Sequence, residues 1–294
     1  MEAEAEEKEG QVKPHFLFPP SPLNPWMIDE MFQDQAIALK QAGFGTSVVN
    51  VDYERINPQP EPDTVCVYRG WMLNPEEYSH YVSTVVMKAA VPLTSLDQYL
   101  MAHHLPYWYP LVEQYTPSTS IFPGDSKLLK SDMKTIGYIL GEHVRSMRGL
   151  HHLSGQGDGS EWNKFQLKDY VKSLKTAGGS VLTNTEDITP TLVEMEKFRG
   201  TIEGGICVRS WEEFFPGSEK RYFVINERAF SPETHFDTRA WTILENVRSL
   251  IPSAFWSIDI AERVDGQFRI VEIGDGQVSD LVGWTPERFA EIWK

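Results

Sequence analysis

Two acids near the end of the chain, Asp259 and Glu272, flank an Asp265-Gly266 pair in the segment SIDIAERVDGQFRIVEIGDGQ, residues 257–277. Asp-Gly between two alternating apolar runs is a hairpin signature, because a two-residue type I′ turn needs positive φ at both central positions. If those two residues are the loop, Val264 faces Gln267. Asp259 lies five residues before the first of these and Glu272 five after the second, so the two acids face each other with Cβ atoms about 5 Å apart. The opposite, core face then carries Trp256, Ile258, Ile260, Val271 and Ile273. Like charges directly opposed are destabilising unless something lies between them. One remedy is a divalent cation: oxygen-only ligands suit magnesium, which binds through one or two carboxylates plus substrate phosphates, and Asp275 would add a third oxygen. The other is an Arg or Lys brought from elsewhere. Spacing alone leaves both open. The repulsion further predicts that neutralising either acid leaves the fold no less stable.

Cationic residues come next. In FQLKDYVKS, residues 165–173, Phe165, Leu167 and Asp169 alternate with Gln166, Lys168 and Tyr170, and Lys172 follows. A lysine on a largely apolar strand is a good phosphate partner, since low local dielectric strengthens the contact, although such a lysine also serves as a snorkelling edge residue. Gly178 and Gly179 downstream would let backbone N–H groups approach phosphate oxygens. Arg209 in ICVRSWEEF and Arg221 in EKRYFVI each enter a strand-like run, where a guanidinium can brace a phosphoryl group bidentately. Glu219, two positions before Arg221 on the same side, offers the simpler alternative of an ion pair. Arg69 in VYRGWML ends an apolar strand, where α/β proteins often place ligand contacts; the alternative is a boundary arginine stacked on Trp71.

The chain as a whole limits what these groups can serve. Its 294 residues predict roughly two domains. With 41% hydrophobic and 23% charged residues it has the composition of a folded globular protein. A net charge of −15 argues against a passive nucleic-acid surface or an anionic-membrane binder, so any phosphate must be met at focused cationic points. Cys66 and Cys207 have no C-x-x-C spacing, which excludes a disulfide framework or thiolate zinc site and makes a reducing compartment the expectation. The opening MEAEAEEKEG lacks the order of a signal peptide and is expected to be a disordered acidic tail, and no apolar window is long enough for a membrane span. The expected location is the cytoplasm. No G-x-S-x-G elbow, K-x-D-G motif or Walker A pattern occurs. The adjacent pairs His103-His104 and His151-His152 read as surface or loop residues.

Strand-like runs at 48–51 and 64–68 alternate with helical patterns at 27–42 and 74–90, the latter entered through Asn74-Pro75, so residues 13–120 read as an α/β layer. A crowd of Tyr, Trp and Pro around Trp108, followed by the Pro/Ser/Thr-rich stretch 117–124, marks a boundary. Beyond it lie helices at 127–147, 189–198, 238–250 and 286–293 among strand-like runs, an α+β half.

Taken in order, YRGWML, LKDYVKS, VRSWEEF with EKRYFV, and SIDIAE to VEIGDGQ resemble the ATP-grasp superfamily, and more closely its R-two-K clade, over about residues 13–285. The resemblance implies an ATP-grasp fold: a pre-ATP-grasp α/β domain (13–120), a central subdomain (121–205) and a C-terminal subdomain with the metal site (206–294). It implies an ATP- and Mg2+-dependent ligase that turns a small-molecule or peptide carboxylate into an acyl phosphate for attack by an amine or similar nucleophile. Under it, Lys168 contacts the ATP phosphates with Asp169 and Lys172 nearby, and residues 177–180 form the glycine loop. The segment 207–214 is the hinge near adenine and ribose, with Trp211 and Glu213 as contacts. Arg221, with Arg209 and Arg69, acts on the transferred phosphoryl group, and Asp259, Glu272 and Asp275 hold the metal. One position departs from the family. Many members carry Asn two residues after the second metal Glu, where this chain has Gly274, leaving Asp275 or Gln277 as the replacement. Two other readings are phosphoryl or nucleotidyl transfer and a non-catalytic nucleotide-binding interaction protein.

Overall fold

A computed structural model describes residues 13–124, 133–154, 163–171, 181–199 and 202–294. Lys172, Gly178 and Gly179, and with them the expected glycine loop and acidic tail, lie outside the described residues.

The N-terminal unit is an α/β layer. Its strands and helices run β1 (His15–Phe18), a ribbon of β2 (Pro20–Ser21) and β3 (Asn24–Ile28), α1 (Gln33–Gln41), β4 (Gly45–Asn50), β5 (Arg55–Asn57), β6 (Val65–Tyr68), α2 (Pro75–Met87) and β7 (Val91–Pro92). The sheet order is β5-β4-β1-β6-β7, parallel except at β5. Asn74 begins α2 as the spacing predicts: its side chain accepts from Glu77 N at 2.9 Å while Glu77 accepts from Asn74 N at 2.8 Å, with Pro75 inside the first turn. The first helix starts later than expected. Asp29 accepts from Met31 N and caps a short 3₁₀ turn, and residues before it pair as the ribbon instead.

The aromatic, proline-rich boundary is also helical, as α3 (Leu96–His103) and α4 (Leu105–Val112). A Ser95/Gln98 capping box starts the former, and Pro106 sits in the first turn of the latter, where its missing N–H costs nothing. His103 and His104 are therefore buried rather than at the surface. His103 stacks on Tyr99, and His104 Nε2 lies 2.9 Å from Glu203.

Two antiparallel sheets follow. The central one has order β10-β9-β11-β8 and contains β8 (Thr119–Pro123), β9 (Phe165–Asp169), β10 (Val181–Leu182) and β11 (Gly205–Ser210). Helices α5 (Met133–Ser154) and α6 (Ile188–Arg199) cover the face bearing Phe165, Leu167, Ile206 and Val208. The expected boundaries at 120 and 205 thus fall at strands of this one sheet. The C-terminal sheet has order β13-β12-β14-β15: β12 (Lys220–Ile225), β13 (Arg228–Phe230), β14 (Phe255–Glu262) and β15 (Phe268–Asp275), with α7 (Thr238–Val247) and α8 (Pro286–Glu291). One face packs Tyr222, Trp256, Ile258 and Ile273 with α7 and Trp108 of α4. The other packs Phe223 and Phe255 with Phe289 of α8 and the β1 side chains Phe16 and Phe18, which joins this sheet to the N-terminal unit. No helix among the described residues is long and apolar enough to cross a membrane.

Candidate functional site between the two sheets

Asp259 and Glu272 are register partners on β14 and β15. The turn that brings them there is not the two-residue loop. Arg263 N donates to Gln267 O at 2.7 Å and Gly266 N donates to Arg263 O at 2.8 Å, so three residues form the loop, with Gly266 at φ +85°. That loop sets β15 one residue out of step, and Ile260 faces Ile270. A bulge at Val271 then restores the step, placing Glu272 opposite Asp259. Two one-residue shifts cancel, and the acids meet. The core side chain is accordingly Ile270, with Val271 only half-buried.

Arg221 is the register partner of Asp259 on β12, so Arg221, Asp259 and Glu272 form a row across three strands on one face. The guanidinium grips Asp259 bidentately, Nε to Oδ1 at 2.8 Å and Nη2 to Oδ2 at 2.6 Å, and Nη1 donates to Asp280 O at 3.0 Å. Burial works against the Arg221 charge, but the hydrogen bonds and charge of Asp259 outweigh it and raise its pKa. The like-charge pair is relieved by an arginine on its own sheet. Glu272 has no hydrogen-bond or ion-pair partner among the described residues. Glu219 stands beside the row, its carboxyl raised first by burial and then by the charges of Asp259 and Glu272.

Lys168 faces this row from the central sheet. It is 4% exposed and pairs in register with Cys207, on the face away from α5 and α6. It has no hydrogen-bond or ion-pair partner among the described residues, and burial lowers its pKa while the nearby Glu272 carboxylate raises it. A buried, unpaired ammonium is costly unless an anion completes it. Asp169, one residue on, points to the helix-covered face and accepts from Val171 N at 3.1 Å, so it is turned away from the Lys168 side.

Three further expectations are relocated. Arg209 shares the Lys168 face, but its two Nη groups are engaged elsewhere: Nη1 on Val271 O at 2.7 Å, Nη2 on Ile270 O at 3.3 Å and on Thr116 Oγ1, while its buried Nε has no hydrogen-bond partner among the described residues. Burial pushes its pKa down to about 10. Arg69 is 1% exposed and braces the N-terminal unit against the turn after β15. Its Nε and Nη2 donate to Gln35 Oε1, Nη1 donates to Gly276 O and Nη2 to Ser279 O, and it stacks on Phe289 rather than Trp71. Asp275, three residues after Glu272, falls on the opposite face, fully buried, where Oδ1 accepts from Gln277 N at 2.9 Å. Gln277 is itself committed, accepting from Tyr68 N and donating to Tyr78 OH. Neither residue substitutes for a side chain at Gly274, whose missing Cβ is faced by Ser279 and Ser257 hydroxyls at 3.2 and 3.4 Å.

Trp211 and Glu213 lie in the connection between the sheets. Trp211 N donates to Lys164 O and Glu213 O accepts from Val264 N, while Glu212 anchors the segment through a bidentate pair with Arg269. Glu212, Arg269 and Thr116 were not singled out from sequence; the only signal was the Glu-Glu pair of the hinge segment.

Among the described residues, no three His, Cys, Asp or Glu side chains already cluster as a metal cage. The donors nevertheless fit a hard cation sharing phosphate oxygens. Glu272 is unpartnered among the described residues, and Asp259, held by Arg221, presents its carboxylate on the same face.

The family described as ATP-grasp domain, R-two-K clade family 3, matches residues 124–292. No curated protein matches the chain. Solved structures share the fold at low identity. A RimK domain protein ATP-grasp from Sphaerobacter thermophilus is 13% identical with TM-score 0.56, covering 95% of this chain and 98% of that one. The D-cycloserine synthetase DcsG is 11% identical with TM-score 0.55, covering 95% and 100%. The ATP-grasp ligase PsnB, complexed with minimal precursor, Mg and ADP, is 10% identical with TM-score 0.54, covering 95% and 96%.

Proposed function

The chain belongs to the ATP-grasp domains of the R-two-K clade, family 3, and from that premise we propose that it is an ATP- and magnesium-dependent ligase joining a carboxylate to an amine or similar nucleophile. The observation that carries this reading is the buried Lys168 facing Glu272 beside the Arg221–Asp259 pair, with neither Lys168 nor Glu272 partnered among the described residues. Those groups are arranged for a polyanion and its counter-cation.

In this reading Lys168 holds the ATP phosphates, and the low dielectric around it makes one ammonium count for more than it would in water. Arg221, fixed in orientation by Asp259, directs its remaining donor capacity toward the transferred phosphoryl group. Asp259 and Glu272 hold magnesium, which when bound offsets phosphate charge. A carboxylate is a poor electrophile, and phosphorylation gives it a good leaving group, so no protein nucleophile is needed. Buried Cys66 and Cys207, with thiols pushed up to about 12 by burial, are unsuited to that role. Carboxylate and amine substrates, peptidic or small, are the proposed partners. That the PsnB structure holds a precursor with Mg and ADP supports such a set.

The absent side chain at Gly274 favours a second reading, nucleotide binding without turnover. The purified chain with ATP, Mg2+ and pooled amino acids and short peptides separates the two. Ligation predicts ADP release that requires both a carboxylate and an amine; binding without ADP release across the panel contradicts it.

A further inference from the structure

We propose that Arg209 is a positioning residue that clamps the β15 bulge and so keeps Glu272 facing Asp259. The proposal deepens the reading above, resting on Asp259 and Glu272 as the cation's ligands.

The three-residue loop leaves Ile260 opposite Ile270. An unbroken ladder from there would set Val271 opposite Asp259 and Glu272 opposite Ile258, on the apolar face, because a one-residue slip turns every side chain over. The bulge alone prevents this. It lies on the edge strand, whose outer carbonyls have no strand to pair with among the described residues. Arg209, reaching over from the central sheet, donates to both carbonyls beside the extra residue, Ile270 O at 3.3 Å and Val271 O at 2.7 Å. Thr116 completes the clamp, donating from Oγ1 to Ile270 O at 2.8 Å and accepting from Arg209 Nη2. Arg209 and Thr116 are 3% and 1% exposed, so water does not compete for these carbonyls. The planar fork of arginine presents its donors to two carbonyls in a fixed geometry, unlike a flexibly tethered lysine ammonium. The strand that carries Lys168 pairs with the strand that carries Arg209, so one sheet presents the phosphate contact and also fixes the acid of the other.

The test compares Arg209→Met with the wild type in two measurements. Cross-strand NOEs in isotope-labelled protein report which residue faces Asp259. Calorimetry gives ATP affinity with and without Mg2+. The expected result is loss of the Asp259–Glu272 NOEs and a fall of about tenfold or more in the Mg2+-dependent gain in ATP affinity, with metal-free ATP binding changed by less than about threefold. Glu272→Gln should then add no further loss in the Arg209→Met background. Retained Asp259–Glu272 contacts would overturn the proposal, as would lost contacts with an undiminished Mg2+ effect. A drop in metal-free ATP affinity with the register intact would make Arg209 a direct phosphate ligand instead. Should the wild type bind no ATP, the functional reading fails, and the NOEs alone still decide whether Arg209 holds the bulge. If Arg209→Met does not fold, Thr116→Val, which removes one bond to Ile270 O and keeps the guanidinium, is read by the same two measurements.

Discussion

Asp259 and Glu272 stand side by side on one face, yet their replacement should have opposite consequences. Asp259→Asn leaves the Arg221 guanidinium, 11% exposed, without its counter-charge, and unfolding by urea should show a loss of about 3 kcal/mol. Glu272→Gln removes a charge with no partner among the described residues and should leave stability within about 0.5 kcal/mol of wild type. The two changes differ because Arg221 stands in register with Asp259 and pairs with it, while no such cation pairs with Glu272 among the described residues. Asp275 supplies a pH dependence. Burial pushes its carboxyl up to about 8. The unfolded chain releases that proton near pH 4, so between about pH 4 and about pH 8 the folded state binds the extra proton and stability falls as pH rises. Asp275→Asn, which keeps an acceptor for Gln277 N, should flatten that part of the stability–pH curve; an unchanged slope would show that Asp275 is ionised in the fold.

At the scale of elements, glycines mark where the hairpin and the central sheet depend on backbone. Gly266 has φ +85° with nothing near its missing Cβ, so Gly266→Ala should cost only about 1 kcal/mol in thermal unfolding. Gly205 has φ +144° and its Cβ would lie 2.3 Å from Phe122 O, so Gly205→Ala should cost about 3 kcal/mol and open the β8–β11 edge. Much of this layer was readable from the chain. The Asn74-Pro75 start of α2, the apolar alternation around Lys168 and the Asp-Gly hairpin follow from local pattern, whereas the acids face each other only because a bulge offsets the longer loop. The bulge was not readable, because the arginine that bonds its carbonyls, Arg209, arrives from another sheet. Nor was α4, since Pro106 in its first turn and Pro110 inside it look like breakers until the buried Trp108 and His104 supply the packing that favours a helix.

Across the whole molecule, two arginines read from sequence as phosphate ligands, Arg69 and Arg209, donate to carbonyls of another unit. Arg69 ties the end of β6 to the turn after β15, and its replacement by Met strands Gln35 and two buried carbonyls, with an expected loss of about 3 kcal/mol in chemical unfolding. Sequence order named the cations, and three-dimensional packing shows what they touch, because a guanidinium can donate to a carbonyl as well as to a phosphate. Lys168 differs from these arginines in having no protein partner among the described residues. The direct measurement is calorimetric ATP affinity, with Mg2+, of wild type and Lys168→Met, alongside their melting temperatures. A charge-assisted contact predicts that the variant loses roughly tenfold to a hundredfold in affinity while melting no lower than wild type, because a costly buried charge has gone. Wild-type affinity in Lys168→Met would contradict the placement of ATP between these two sheets.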